Sequence, residues 1–300
     1  MSARTATAIG IDVGGTQLRA AHVSAAGKVL AWLAEPTATD PHQVIAQMRA
    51  LVRQLGGVGA AAIGIGVPGR VDARHGRILS GGYVDLSGFS LAESLGEDLD
   101  LPVFVDNDGN LALFGEHAVG SARSASTAVM FTIGTGIGGG IIADGMLVRG
   151  KSAAGQLGHI AIDRNGERCL CGRVGCIETM SSGTALGRHI AAAGLPDRTS
   201  IEDLIARAAI GETTAKRVLA AWAAPMRVAI DTVVATLDPD VVVLGGGLGV
   251  AMHSALAGFP AEAPWYQCTV VPAMLGHRAG VIGAGLSALT QLKKRIEATQ

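Results

Sequence analysis

Short apolar runs separated by glycine turns open the chain, and their spacing is typical of strands. Three of them predict an antiparallel meander, at residues 6–13, 18–23 and 29–33. Apolar residues then recur every three or four positions through residues 41–55, which predicts an amphipathic helix capped by Asp40. The same half of the chain predicts two more strands and a helix, at residues 60–67, 103–105 and 109–117.

The pattern begins again in the second half. It predicts a strand, a glycine-rich turn and two short strands, at residues 127–133, 134–140, 141–143 and 146–149. Helical periodicity follows, with Pro225 as a predicted kink or break, at residues 184–193, 201–209 and 213–237. A strand and a terminal amphipathic helix complete the chain, at residues 241–244 and 286–297. This repeat predicts two related α/β domains around a cleft, residues 1–118 with 286–300 and residues 119–285.

Composition narrows the class of protein. The 300 residues are 49% hydrophobic and 16% charged, and the formal net charge is −1. That balance lacks the basic footprint of a nucleic-acid-binding protein, and no run of about eighteen apolar residues predicts a membrane span. Asp12 interrupts the first apolar run, so no secretory leader is predicted. We therefore expect a cytoplasmic protein.

A cluster of three cysteines carries the strongest chemical signal. Cys169, Cys171 and Cys176 follow His159, and a Cys3His set suits a closed tetrahedral zinc site. A disulfide is the alternative, but one intervening residue between the first two cysteines makes it awkward, and three is an odd number. We predict structural Zn2+ bound by these four side chains. Cys268, the remaining cysteine, is predicted to act as a small apolar residue.

Two glycine turns that follow strands are candidate phosphate-binding loops. Their members are Gly14, Gly15 and Thr16 in the first, and Gly134, Thr135, Gly136 and Gly138 in the second. Glycine lets backbone N–H groups approach phosphate oxygens closely, and threonine hydroxyls add donors. Either turn alone fits an ordinary hairpin, and neither matches a P-loop or a dinucleotide fingerprint. Asp12 stands at the mouth of the first turn, and a carboxylate beside phosphate-binding amides requires a bridging divalent cation. Together with a third glycine cluster, which includes Gly246 and Gly247, this predicts a magnesium-bound nucleotide.

Seven motifs, in order along the chain, resemble those of the ROK family (repressors, open reading frames and kinases). They lie at residues 9–16, 67–69, 106–108, 134–140, 157–159, 169–178 and 238–247. The similarity spans essentially the whole chain, and the cysteine motif is close to diagnostic. It implies the actin-like ATPase (ribonuclease H-like) fold of sugar kinases, with two α/β domains, ATP and a hexose meeting in the cleft, and commonly a homodimer.

The resemblance also implies roles for single residues. Asp108 matches the catalytic base that accepts the proton of the sugar 6-hydroxyl, a helix N-cap being the alternative reading. Asn107 and Glu178 match residues that hydrogen-bond sugar hydroxyls. His159 matches one that places a ring nitrogen on zinc and the other toward the sugar. The further substrate-binding positions are Gly69 and Gln156. The positions implied for ATP and Mg2+ are Asp12, Gly14, Gly15, Thr16, Gly134, Thr135, Gly136, Gly138, Gly246 and Gly247.

The sequence departs from the family pattern at three places, two of which concern the sugar. Gln156 stands where most family kinases have glutamate, and an amide keeps the hydrogen-bonding capacity without the charge. A bacterial N-acetylmannosamine kinase type also carries a residue other than glutamate there, so that activity stays open beside glucose. Asp106 stands where glutamate is usual, and residues 85–89 differ from the usual sugar-facing loop.

Three functions remain. The first is an ATP-dependent hexose 6-kinase of the glucokinase type. The second is a ROK repressor, which would carry a helix-turn-helix domain before the first strand, where this sequence has only residues 1–5. The third is a catalytically silent sugar-binding protein, which Gln156 permits and Asp108 argues against.

Overall fold

The computed structural model of the protein describes residues 6–56, 59–82, 84–261 and 263–299. The chain forms two compact units. Unit 1 comprises residues 1–124, 147–154 and 277–300, and unit 2 comprises residues 125–146 and 155–276. The predicted division had no excursion in the middle of the chain, whereas residues 147–154 fold with unit 1 although the segments on either side fold with unit 2.

Unit 1 is built on a five-stranded sheet of order β3-β2-β1-β4-β7. The strands of this unit are β1 (Thr7–Val13), β2 (Gln17–Ser24), β3 (Val29–Pro36), β4 (Ala62–Val67), β5 (Arg70–Asp72), β6 (Arg77–Ser80) and β7 (Val103–Asn107). β1, β2 and β3 form the predicted antiparallel meander, and β4 and β7 continue the sheet in parallel. β4 is buried along its whole length, as a parallel strand covered on both faces must be. β5 and β6 form a separate two-stranded hairpin.

Four helices belong to the described part of unit 1: α1 (Pro41–Gln54), α2 (Leu91–Leu99), α3 (Asp108–Val119) and α9 (Ala279–Glu297). The prediction that the terminal helix starts at Leu286 was wrong, because α9 already begins at Ala279. Its first turns are rich in glycine, which lowers helix propensity. Close packing explains these glycines, because a Cβ on Gly283 would overlap the carbonyl oxygen of Leu111 in α3. β1 packs equally closely against α9, since a Cβ on Gly10 of β1 would overlap the carbonyl oxygen of Val281.

Unit 2 contains a second five-stranded sheet, of order β10-β9-β8-β11-β12. Its strands are β8 (Ala128–Ile133), β9 (Ile137–Ala143), β10 (Met146–Leu147), β11 (Val241–Gly245) and β12 (Thr269–Pro272). β8 pairs antiparallel with β9 and parallel with β11. The predicted turn at residues 134–140 was therefore too long, since only residues 134–136 leave the sheet. The hairpin with a glycine turn recurs in this unit, as the sequence repeat predicted, and the structure adds parallel strands beside it in both units.

The helices described in unit 2 are α4 (Glu178–Ser181), α5 (Gly183–Ala192), α6 (Ile201–Ala209), α7 (Thr213–Leu237) and α8 (Gly249–Leu256). α7 runs through Pro225 without a break, contrary to one of the predicted outcomes. Trp222 and Met226, which flank the proline, are fully buried in the core of this unit, so packing compensates for the lost hydrogen bond. By length and composition α7 could cross a membrane, with a window of mean hydropathy 1.5, but half of that window is buried within the protein.

Candidate functional site

A turn at residues 106–110, here called the polar turn, joins β7 to α3. Asn107 is the N-cap of α3, because its Oδ1 accepts from the backbone N–H of Asn110 at 3.1 Å. Its Nδ2 donates to the carbonyl oxygen of Gly69 at 2.9 Å and to Oδ1 of Asp108 at 3.0 Å. The alternative reading of Asp108 as the N-cap was thus wrong by one residue. Asn107 therefore caps the helix, and its amide nitrogen also donates to the carboxylate of Asp108.

Asp108 is the first residue of α3. Its Oδ1 also accepts from the backbone N–H of Gly109 at 2.8 Å. Burial, reinforced by the negative charge of Asp12, raises the pKa of Asp108 to about 7. A carboxyl group with that pKa exchanges its proton near neutral pH, which is what a general base requires.

Sequence reasoning missed the partner of Asp106. The side chain of Asp106 is 2% exposed, and its Oδ2 lies 2.7 Å from both Nε and Nη2 of Arg149. Its Oδ1 accepts from the backbone N–H of Asn107 at 2.8 Å and from Nδ2 of Asn110 at 3.1 Å. Arg149 belongs to the excursion at residues 147–154. The one signal in the sequence was an arginine in a chain with few charges, and no motif tied it to the polar turn.

The first glycine turn lies beside Asp12 at the end of β1. The backbone N–H of Gly14 donates to the carbonyl oxygen of Gln17 at 3.1 Å, and Gly15 and Thr16 are exposed. Asp12 Oδ2 lies 3.5 Å from Nη1 of Arg19. Burial raises the pKa of Asp12 and the guanidinium of Arg19 partly offsets it.

The N-terminal turn of α9 approaches the same carboxylate. A Cβ on Gly280 would come within 2.8 Å of the carboxyl carbon of Asp12. The donor set fits a divalent cation such as Mg2+: a hard carboxylate oxygen, held in a largely buried place, where a bound cation would favour the ionised form. Gly280 could not be picked out from the sequence, because the terminal helix was predicted to start later.

The second glycine turn lies between β8 and β9. The backbone N–H of Gly134 donates to the carbonyl oxygen of Gly136 at 2.9 Å, and that of Gly183 donates to the carbonyl oxygen of Gly134 at 2.8 Å. Thr135 is exposed, and Gly138 lies within β9. A Cβ on Gly138 would approach the hydroxyl of Thr132 to 2.7 Å. The turn is therefore fastened to the start of α5 rather than standing alone.

The third glycine cluster follows β11. Gly246 has a φ of +77°, and a Cβ there would overlap the carbonyl oxygen of Ile133. Gly247 is exposed, with nothing within 4 Å of a Cβ built on it. The contact with Ile133, the last residue of β8, brings this cluster next to the second glycine turn within unit 2. Two of the three predicted phosphate-binding segments are thus neighbours.

Residues 159–178, here called the cysteine loop, gather the four predicted zinc ligands. The ligand atoms of His159, Cys169, Cys171 and Cys176 all lie within 4.8 Å of one another. Nδ1 of His159 is 3.6 Å from Sγ of Cys169, and Sγ of Cys171 is 3.6 Å from Sγ of Cys176. Sulfurs bound to one tetrahedral zinc lie about 3.8 Å apart, given Zn–S bonds of about 2.3 Å.

The chemistry of these ligands fits a metal as well. The three cysteines of the cluster are free thiols, as is Cys268 outside it. Burial raises the pKa of Cys169 and of Cys176, so without a cation these side chains stay neutral. A bound divalent cation deprotonates ligating thiols. The geometry and the donor set together suit structural zinc, and His159 presents Nδ1 to the thiols.

Glu178 begins α4 immediately after the cysteine loop. Its Oε2 accepts from the backbone N–H of Ile137 at 2.8 Å, and its Oε1 lies 3.9 Å from Sγ of Cys169. Gln156 precedes a short 3-10 turn at Leu157–His159. Its backbone carbonyl oxygen accepts from the backbone N–H of His159 at 3.1 Å. The three sugar-site candidates of this region, Gln156, His159 and Glu178, thus lie on one continuous piece of unit 2.

Within unit 1 the structure joins Gly69, Asn107 and Asp108 by direct hydrogen bonds. Gly69 has a φ of +93°, and a Cβ there would overlap the carbonyl oxygen of Ser80. Glycine is therefore required for the carbonyl that accepts from Asn107 to stand where it does. Asp12 lies close enough to raise the pKa of Asp108.

Comparison with known proteins gives consistent matches over nearly the whole chain. The profile of the ROK family matches residues 8–291. The glucokinase of Halalkalibacterium halodurans is 32% identical over 308 residues, covering 92% of this chain and 93% of that protein. The N-acetylmannosamine kinase of Salmonella newport is 33% identical over 295 residues, covering 94% and 98%.

A solved structure of a related protein has a similar fold over nearly the whole chain. The ROK family glucokinase from Streptomyces griseus, in complex with glucose and AMPPNP, has a TM-score of 0.80 and 27% identity, covering 95% of this chain and 99% of that one. This match, with the two α/β units, confirms the actin-like ATPase fold that the sequence resemblance implied.

Proposed function

This chain belongs to the ROK family, and we propose that it is an ATP-dependent sugar kinase that phosphorylates the 6-hydroxyl of a hexose, with glucose preferred. The observation that carries the proposal is the polar turn. It presents an ionisable carboxylate, Asp108, held by two donors and having a pKa of about 7. The glucokinases among the relatives support glucose as the sugar.

In the proposed reaction Asp108 accepts the proton of the 6-hydroxyl while the hydroxyl oxygen attacks the γ-phosphorus of ATP. The new bond joins that oxygen to phosphorus, the bond to the β–γ bridging oxygen breaks, and ADP leaves. Positioning and charge stabilisation supply most of the catalysis in such transfers. Asn107 keeps Asp108 oriented through its 3.0 Å hydrogen bond and would also contact sugar hydroxyls.

The glycine segments would bind the nucleotide. Backbone amides and hydroxyls at the three clusters would hold the phosphates. The proposed members are Gly14, Gly15, Thr16, Gly134, Thr135, Gly136, Gly138, Gly246 and Gly247. Asp12 would hold Mg2+, which when bound neutralises phosphate charge.

The cysteine loop would shape the sugar pocket and take no part in the chemistry. Zinc on the four ligands would orient His159, whose second ring nitrogen could then face the sugar. Glu178 would accept from sugar hydroxyls, and its hydrogen bond to the N–H of Ile137 fixes one of its oxygens. Gln156 and Gly69 complete the proposed substrate contacts.

A coupled assay of ADP release with a panel of sugars tests the function. Glucose should give the highest kcat/KM, and 6-deoxyglucose, which lacks the accepting hydroxyl, should give no ADP. ADP release with 6-deoxyglucose would contradict transfer to the 6-hydroxyl. Sugar binding by calorimetry without ADP release from any sugar would instead identify a silent sugar-binding protein.

N-acetylmannosamine kinase is the second candidate. Gln156 favours it, because an amide can donate to the carbonyl oxygen of an acetamido group and a carboxylate cannot. The Salmonella newport relative bears that name. A higher kcat/KM for N-acetylmannosamine than for glucose in the same panel would decide for it.

The proposal includes a cytoplasmic homodimer that binds neither nucleic acid nor membrane. The formal net charge of −1 supports the absence of a nucleic-acid partner. Light scattering coupled to size exclusion measures the mass directly. A monomer of 30.3 kDa would contradict the dimer without affecting the proposed reaction.

A further inference from the structure

We propose that Arg149 is a positioning residue for phosphoryl transfer: through a partly buried ion pair with Asp106 it holds the polar turn that carries Asn107 and Asp108. The inference rests on the proposed kinase function and deepens it. In the proposed reaction Arg149 contacts none of the reacting atoms and acts through Asp106.

The geometry of the pair is specific. Nε and Nη2 of Arg149 both lie 2.7 Å from Oδ2 of Asp106. The side chain of Asp106 is 2% exposed and that of Arg149 is 32% exposed, so water screens the pair little on the carboxylate side. A guanidinium presents these two donors in a fixed fork, which an ammonium group cannot do.

The other oxygen of Asp106 passes the constraint to the turn. Oδ1 accepts from the backbone N–H of Asn107 and from Nδ2 of Asn110, which lies one turn into α3. Asn107 in turn donates to Oδ1 of Asp108. Three consecutive contacts therefore join the guanidinium to the proposed base, and each is a direct hydrogen bond within unit 1.

The ion pair also attaches residues 147–154 to the polar turn. Residues 147–154 fold with unit 1 between two segments that fold with unit 2. Arg70 donates from Nε to the carbonyl oxygen of Ser152 at 3.4 Å, so the excursion is held at a second point. The ion pair with Asp106 is the less exposed of these two attachments.

Kinetics of four variants test the inference: Arg149→Met, Arg149→Lys, Asp106→Asn and the double variant. Arg149→Met should lower kcat by about 10- to 100-fold, because a misplacement of about 1 Å can cost about 10²-fold, while the KM for ATP stays within about threefold. Arg149→Lys should recover part of the loss, since it restores the charge but not the fork. In the double variant Asp106→Asn with Arg149→Met, kcat should fall no further than in the worse single variant, as expected of residues that act as a pair.

Arg207→Met is the matched control. Arg207 also forms ion pairs, with Asp203 and Glu212 on α6 and the following turn, but within unit 2. Its kcat should stay within about twofold of wild type. Far-UV circular dichroism and a melting curve, recorded at the assay temperature and above, give the folded fraction of every variant.

The outcomes distinguish a failure of the positioning role of Arg149 from a failure of the proposed kinase function. A kcat of Arg149→Met within twofold of wild type, a loss that merely follows the unfolded fraction, or additive effects in the double variant would each overturn the positioning role. If Arg149→Met does not fold, Arg149→Lys decides: a wild-type kcat there overturns the role. If wild-type protein releases no ADP with any sugar, the proposed function itself fails and the inference falls with it.

Discussion

The polar turn and the cysteine loop are held in place by opposite means. In the polar turn, residues 106–110, backbone and side chains bind one another: Asn107 caps α3, and Asp106 engages a guanidinium and two N–H groups. In the cysteine loop, residues 159–178, there is little regular structure; two isolated β-bridges and a short 3-10 turn support it. Four ligand atoms face one another at its centre.

The difference lies in what each region requires from outside the chain. Nearly all polar groups described for the turn find partners within unit 1, Oδ1 of Asn110 being the buried exception, so the shape of the turn follows largely from folding alone. The cysteine loop brings two buried thiols, an exposed one and an imidazole together, and loops with such ligand sets gain much of their stability from metal. A metal-free protein should therefore keep the proposed base in place and lose the proposed sugar contacts.

The largest expected effect comes from removing the charge of the proposed base. Asp108→Asn keeps the size of the side chain and leaves the N-cap, Asn107, untouched. Turnover should fall by at least about 100-fold, because general base catalysis contributes about 10²- to 10⁴-fold. Steady-state kinetics measure it, and calorimetry should find sugar and ATP affinities near those of wild type.

Asp12→Asn is the informative companion variant. It should change the dependence of activity on Mg2+ concentration rather than abolish turnover outright. A near-normal turnover for Asp108→Asn would remove Asp108 from the mechanism. Asp106 is then a poor replacement as the base, since both its oxygens are engaged by Arg149, Asn107 and Asn110.

The second effect separates the cysteine loop from the polar turn. Cys171→Ser replaces a thiolate ligand by a poor one, so the protein should lose zinc, and sugar affinity should fall by about 10- to 100-fold. Metal analysis and calorimetry measure the two quantities. Because the polar turn that carries the proposed base does not depend on the metal, kcat at saturating sugar should change little.

Cys268→Ser is the matched control, since Cys268 lies outside the cluster and its Sγ contacts the carbonyl oxygen of Pro239 at 3.2 Å. It should retain zinc and sugar affinity. Wild-type protein purified without zinc, or Cys171→Ser with full sugar affinity, would contradict the role of the metal.

The same contrast explains what could be predicted from the sequence. The cysteine ligands are recognisable by residue type and spacing alone, and the strands by their buried apolar runs. The start of α9 was not, because glycines at positions such as 280 and 283 reduce helix propensity and serve close packing that involves residues distant in sequence. Arg149 was not, because its pairing with Asp106 depends on the excursion of residues 147–154. Periodicity reports burial, and it is silent on such single long-range contacts.

A smaller effect concerns stability and its dependence on pH. The pKa of Asp108 rises from 3.8 to about 7 on folding, mainly through burial. The folded state therefore binds this proton more tightly, and its contribution to stability is lost as pH rises from about 4 to about 7. At pH 8 Asp108→Asn should be more stable than wild type, by on the order of 1–2 kcal/mol after allowance for partial exposure.

Denaturant unfolding at pH 4 and pH 8 measures this difference, which should shrink at the lower pH. Asp72→Asn is the control with the opposite sign, because the hydrogen bond with His75 lowers the pKa of Asp72. Equal stability of Asp108→Asn and wild type at pH 8 would mean that the carboxylate carries no burial penalty, and the polar turn would then not hold a group adjusted for proton transfer.

The smallest expected effect concerns the sugar and lies on the side of the cysteine loop. Gln156→Glu adds a charged acceptor for sugar hydroxyls and removes the N–H donor that an acetamido carbonyl could use. One exchanged hydrogen bond is worth about 1 kcal/mol, so the ratio of kcat/KM for glucose to that for N-acetylmannosamine should rise by about fivefold. Gln43→Glu makes the same chemical change at an exposed position of α1 and should leave the ratio unchanged. An unaltered ratio for Gln156→Glu would place the choice of sugar elsewhere, with residues 85–89 the next segment to exchange. A fall in the ratio would mean that the amide donates to glucose itself, so that this chain recognises glucose without the glutamate common in its family.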